Sequence, residues 1–255
     1  MSQPSRTAGR RRRLYLMRHG EVCYFDASTG RPVLPEQVSL TAHGQAQARA
    51  AGLYLREQGV RLDRVIISGL PRTAQTAAEV LGAAGLATLE PQAWPAWEEI
   101  RGGKLSEIPP AALQQAFCGL HQGRVDETQR FLNGESVGEF LDRVLPALQR
   151  LRADPHWDSA LLVLHGVVNA ALLSHALSGG QRVLFGSLMQ SPACLNVIDV
   201  GDEPADWVLR GLNFAPLDGL RHDDRLTTME HLLAQYLQWR DGRTPAGRPD
   251  AAPAA

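Results

Sequence analysis

The sequence predicts one α/β domain: a mostly parallel central sheet with helices on both faces and a hairpin at one sheet edge near the C-terminus. Three observations lead there. Short apolar runs at residues 14–17, 64–67 and 160–164 alternate with stretches of helical periodicity. Each run is followed by a turn and then a helix signal. Residues 195–200 and 207–210 flank Gly201, Asp202 and Pro204, which reads as a hairpin. A length of 255 residues, 44% of them apolar, suffices for one sizeable core.

Taken in order, residues 1–13 read as a disordered basic arm ending in Arg10 to Arg13, with no role assigned to it. The domain is expected over 14–239. After the first strand, an irregular stretch with Gly30, Pro32 and Pro35 leads to Thr41, an N-cap for a helix running to about Gln58 with Ala46, Ala50 and Leu53 on one face. Pro71 opens the helix after the second strand, where its fixed φ and missing N–H do no harm. Gly166 leads into a helix over 167–177, closed by Gly179 and Gly180. Residues 102–134, with Pro109, Pro110 and a short helical pattern, interrupt the alternation and are expected to form part of a lid. Phe140, Val144, Leu148 and Leu151 mark another helix, in which Pro146 predicts a kink. Residues 226–239 read as a final helix, and 240–255 as a disordered tail.

A formal charge of −1 gives no basic field of the kind that attracts nucleic acid or anionic membranes, so any anion site must be local. Of the 26 basic residues only Lys104 is a lysine. Cys23, Cys118 and Cys194 are odd in number and lack paired spacing, which argues against disulfides and zinc and for a reducing cytoplasm. The apolar run after the N-terminal arginines is too short for a signal core or a membrane span. The eight histidines show no metal-ligand spacing, and neither metal nor cofactor is expected. A small phosphate ester is the expected partner, nucleic acid and membrane are not, and a homodimer is left open.

Arg18-His19-Gly20 follows the first strand, Ser68-Gly-Leu-Pro-Arg72 the second, and His165-Gly166 the third. A parallel sheet makes such strand ends converge. Arg18 and Arg72 supply planar forks that match two phosphate oxygens, and Arg72 sits in the first turn of a helix, where free N–H groups already favour anions. His165, if protonated, adds a third donor. A neutral His19 could attack phosphorus in line with the leaving oxygen, which would then need a proton.

As an ordered set, Leu14-Tyr-Leu-Met-Arg-His-Gly-Glu21, Leu40-Thr-Ala-His-Gly-Gln-Ala-Gln, Ser68-Gly-Leu-Pro-Arg-Thr-Ala-Gln-Thr-Ala77 and Val163-Leu-His-Gly166 resemble the histidine phosphatase superfamily in its phosphoglycerate-mutase-like branch. The resemblance implies that His19 becomes phosphohistidine, that Arg18, Arg72, His165 and Gly166 form the phosphate pocket, and that no metal is needed. It also aligns Trp97-Glu-Glu-Ile100 with the family's acid segment, giving the general acid role to Glu99, with Glu98 as its neighbour and competitor. Where relatives carry Thr and then Asn after Arg-His-Gly, this chain has Glu21-Val-Cys-Tyr-Phe25, and Asn169 stands where many relatives have Arg. Glu21, Tyr24, Phe25 and Trp97 are therefore expected at the substrate pocket, with Trp94 as a further contributor to the lid. The arginine pair followed by Tyr-Asp that mutases of the family use is missing. A phosphomonoester hydrolase is expected, the alternatives being a phosphoglycerate-type mutase or an inactive phosphate-binding scaffold. Two rival signals are weak: Cys118 to Arg124 has the C-x5-R spacing of cysteine phosphatases but ends a helical pattern, and Leu177-Ser-Gly-Gly-Gln181 is a helix end.

Overall fold

The computed structural model describes residues 11–26, 29–218 and 225–242. Its strands, in chain order, are β1 (Arg12–Arg18), β2 (Arg64–Ile67), β3 (Gln92–Ala93), β4 (Arg124–Val125), β5 (Ser159–Leu164), β6 (Leu184–Phe185), β7 (Leu195–Val200) and β8 (Trp207–Phe214). Six of them form one sheet in the order β3-β2-β5-β1-β7-β8, and β4 and β6 form a separate ladder. The pairs β2/β3, β2/β5 and β1/β5 are parallel, while β1/β7 and β7/β8 are antiparallel. The expected hairpin is thus β7–β8 at the sheet edge.

Helices α1 (Ala42–Glu57) and α2 (Pro71–Ala84) cover one face, and α4 (Val137–Ala153) and α5 (Gly166–Leu177) the other. Strand periodicity divides the side chains: Tyr15 and Met17 join the α1/α2 core, Leu14 and Leu16 the α4/α5 core. Both faces being covered, β1 and β5 read as continuous apolar runs. Helices α3 (Leu113–Cys118) and α6 (Thr228–Arg240) pack on each other through Leu113, Phe117, Met229, Leu233 and Tyr236 as a third cluster.

Several expectations change. The strand begins at Arg12, so Arg12 and Arg13 belong to the sheet rather than to an arm. Their charges are satisfied there: Arg13 ion-pairs with Asp199 at 2.7 Å, and Arg12 lies over the Trp157 ring at 4.4 Å and donates to the carbonyls of Asp154 and Arg152. Residues 1–10 and 243–255 lie outside the described residues. Thr41 caps α1 by accepting from the Gly44 N–H at 2.9 Å, yet the buried face is Gly44, Gln47, Ala48, Ala51, Gly52 and Leu55, and Leu53 is exposed. Close approach, rather than apolar bulk, sets that face. A Cβ on Gly44 would lie 2.1 Å from the Glu21 carbonyl oxygen, and one on Gly52 would lie 2.3 Å from that of Val80. The two-residue strand β3 has no signal in the sequence. Among the described residues, no helix is long and apolar enough to cross a membrane.

The order β2-β5-β1 places three parallel strands side by side. Their carboxyl ends therefore deliver Ser68 to Arg72, His165 and Gly166, and Arg18 to Gly20 to one edge of the sheet.

Candidate active site

A cavity of about 650 Å³ opens at that edge, and Arg18, His19, Arg72, Glu98, Glu99 and Gly166 line it. The loop after β1 is held against α1 and α2: the Gly20 N–H donates to Thr76 Oγ1 on α2, and a Cβ on Gly20 would lie 2.4 Å from the carbonyl oxygen of Gly44 on α1. Only glycine tolerates that approach. The His19 backbone N–H donates to the Leu164 carbonyl, and His19 Nδ1 lies 2.8 Å from the Gly20 carbonyl oxygen. A carbonyl can only accept, so Nδ1 carries the ring proton and Nε2 the lone pair. Burial, and then the charges of Arg18 and Arg72, lower the His19 pKa well below the ordinary imidazole value. The ring is therefore neutral at neutral pH.

Two buried guanidinium groups face this imidazole's cavity. Arg18 donates to the Gln190 carbonyl at 2.5 Å and to Thr228 Oγ1 at 3.1 Å, and Arg72 donates to the Pro35 carbonyl at 2.9 Å. The Nε atoms of both are buried without a hydrogen-bond partner. Buried donors of this kind are normally satisfied, so unmet donors on two neighbouring cations mark an anion site. Arg72 adds the first turn of α2 to it.

His165 is fully buried beside His19, with ring centroids 5.3 Å apart. Its Nε2 lies 2.8 Å from Ser68 Oγ, which lies 3.1 Å from Thr73 Oγ1, which donates to the Leu70 carbonyl. That last acceptor fixes the direction of the chain: Thr73 donates to Leu70, Ser68 to Thr73, and His165 Nε2–H to Ser68. His165 Nδ1 is left buried and without a partner. Burial, followed by His19, Arg72 and Arg18, lowers the His165 pKa. A bound dianion would oppose that shift and favour a proton on Nδ1.

Glu99 is held by backbone rather than by a cation. Its Oε1 accepts from the Ile100 N–H and its Oε2 from the Val167 N–H in the first turn of α5, each at 3.0 Å. A Cβ on Gly166 would meet Arg18 Nε at 3.7 Å and Glu99 Oε2 at 3.8 Å, so acid and guanidinium both stand within contact of Gly166. Burial raises the Glu99 pKa, against the two backbone hydrogen bonds and the charges of Arg72 and Arg18. Glu98, by contrast, ion-pairs with Arg101 at 3.1 Å. The geometry thus separates two adjacent carboxylates that the sequence leaves in competition.

A profile of the histidine phosphatase superfamily (branch 1) matches residues 14–215. The chain belongs to the histidine phosphatase superfamily. It is 31% identical over 173 residues to a relative from Serratia proteamaculans named "Probable phosphoglycerate mutase GpmB", a match covering 64% of this chain and 74% of that one. Among solved structures, α-ribazole phosphatase from Shigella flexneri is 26% identical, with a TM-score of 0.58 over 79% of this chain and 96% of that one. A mycobacterial glucosyl-3-phosphoglycerate phosphatase, 22% identical, shares the fold with a TM-score of 0.60 over 80% of this chain and all of that one.

In this member of the superfamily, Tyr24 and Phe25 line the cavity as expected, and Glu21 and Trp97 do not. Glu21 turns toward the start of α1, where its carboxylate accepts from Thr41 Oγ1. Trp97 is fully buried: the short helical turn Pro95–Trp97 swings it into the α4 core, where Nε1 donates to the Val144 carbonyl at 3.2 Å and the ring stacks on Trp94. Asn169 is fully buried with both amide atoms unpartnered. Cys118 ends α3 inside an apolar cluster, and burial raises its pKa, the opposite of an activated thiolate. Sequence reasoning missed Ser68, Thr76, Thr228 and Arg143. Arg143, on α4, donates to the carbonyls of Ala96, Glu98 and Glu99 and to both carboxylate oxygens of Glu135, so it grips the segment that carries Glu99.

Proposed function

We propose that this chain is a metal-independent phosphomonoesterase that works through phosphorylated His19. Arg18 and Arg72 bind the dianion, with Gly166 at the pocket wall and His165 Nδ1 as a further donor once protonated. The His19 Nε2 lone pair attacks phosphorus while the P–O ester bond breaks, and the leaving oxygen takes the proton of Glu99. Glu99, now ionised, removes a proton from water as its oxygen attacks phosphorus and the P–N bond breaks. Inorganic phosphate leaves and the acid is regenerated.

The observation that carries this reading is the pairing of a neutral, oriented imidazole with two buried guanidinium groups whose Nε donors are unmet. The Shigella flexneri relative, named a phosphatase, agrees with hydrolysis; relatives named mutases keep phosphoryl transfer as the alternative. The test is brief incubation with an aryl phosphate in the presence of chelator, followed by alkaline quench and mass spectrometry. One phosphoryl group on the peptide containing His19, together with release of inorganic phosphate, supports the proposal. Turnover without that label, or no turnover at all, refutes it.

A further inference from the structure

We infer that the ester side of this site takes the phosphomonoester of a bulky apolar alcohol rather than that of a polyol or a hydroxy acid. The inference rests on the phosphatase reading and concerns the part of the cavity that the phosphate does not fill.

At about 650 Å³ the cavity is of a size that holds a drug-sized molecule. Away from Arg18 and Arg72 its wall is hydrocarbon contributed by distant segments: Phe25 and Leu34 from the loop after β1, Phe131 and Leu132 from the lid, and Met229 and Leu232 from α6. Several of the polar groups that line the cavity are already engaged. Thr228 Oγ1 accepts from Arg18, and Gln190 Oε1 from Asn196. Apart from His121 Nε2, which is buried without a partner, a sugar's hydroxyls would meet mostly carbon, and most of them would be desolvated without a partner.

Charge argues the same way. A phosphoglycerate needs a second cation for its carboxylate. Among the described residues lining the cavity, the one remaining guanidinium is Arg101, and it is paired with Glu98. Glu36 also lines the mouth, so two carboxylates stand there against one cation. His121 adds no charge, because burial and then Arg18 lower its pKa. An acidic substrate arm meets repulsion, whereas an apolar one gains from burial.

Part of this wall lies outside the residues that the family model matches. Helix α6 begins at Thr228, past residue 215 where the family match ends, and it is fixed in place by the lid helix α3.

The test is kcat/KM for ethyl, butyl, hexyl and octyl phosphate. Their alcohols are almost equally acidic, so the chemical step is constant and the slope reads the wall. Each buried methylene is expected to raise kcat/KM by about fourfold until the cavity is filled, with phosphoglycerate poorer than hexyl phosphate. Leu132→Asn and Leu232→Asn should each flatten the slope. A flat or falling series, with ethyl phosphate hydrolysed and His19 labelled, overturns the inference and leaves the phosphatase reading standing. No hydrolysis of any member and no label on His19 overturns both.

Discussion

Arg143→Met keeps most of the arginine stem and removes the guanidinium, and its cost can be worked from the structure. All five N–H donors of Arg143 are used: two on the Glu135 carboxylate at 2.8 Å each, and three on the carbonyls of Ala96, Glu98 and Glu99. The pair is largely buried, with side-chain exposures of 16% and 10%. Removing one partner of such a pair leaves an uncompensated charge and costs about 3–5 kcal/mol, which in a domain of this size lowers Tm by roughly 6–20 °C. The loss depends on pH. Burial opposes ionisation of Glu135, but Arg143 and the Arg101 N–H outweigh it and hold the carboxyl below its ordinary value of 4.5. A depressed carboxyl stabilises fully above its unfolded pKa, and that contribution is lost as pH falls through the folded one. The wild-type advantage in thermal melts should therefore be largest near neutral pH and shrink as pH drops below about 4.5. Because the same guanidinium holds the backbone of Glu98 and Glu99, the variant should also lose more rate on alkyl than on nitrophenyl phosphates. A Tm change of only a few degrees, or a gap independent of pH, would refute the reasoning.

Three further substitutions separate roles. Glu99→Gln should slow alkyl phosphates by about 10²–10⁴-fold and nitrophenyl phosphate much less. In wild type, rates for poor leaving groups should fall as pH rises through the raised pKa of Glu99, a limb the variant lacks; equal losses for both leaving groups would remove Glu99 from the acid role. Trp97→Phe should cost about 0.5–1.5 kcal/mol of stability for the lost hydrogen bond to Val144, with KM unchanged, and a shifted KM would return Trp97 to the pocket. Cys118→Ser should keep kcat/KM, measured beside a melt to show that the fold is intact; a folded but inactive variant would revive a thiolate mechanism.

What the sequence makes legible is the chemistry tied to strand ends. Arg18-His19-Gly20, Arg72 and His165 follow apolar runs in short motifs, and the parallel sheet brings Arg18, His19 and Arg72 to one cavity with His165 beside His19, although His165 itself does not line the cavity. Long-range reach is not legible. Arg143 lies 44 residues from Glu99 and acts on backbone carbonyls, which carry no sequence signal. Trp97 is expected at the substrate pocket, but a single helical turn points successive side chains in different directions and sends the indole into the core. The buried face of α1 follows Gly44 and Gly52, because at close backbone approach the absence of a side chain counts for more than apolar size. Helix α6 is readable as a helix, yet nothing in its pattern says that Thr228 would touch Arg18.

The most direct test of the central claim is a crystal structure with orthovanadate, which adopts the trigonal geometry of a phosphoryl group in transfer. Vanadium bonded to His19 Nε2, with its oxygens in hydrogen-bond reach of Arg18, Arg72 and His165 Nδ1 and one apical oxygen toward Glu99, is the predicted result. Vanadate bound elsewhere, or seated in the cavity with His19 turned away from it, would contradict the account.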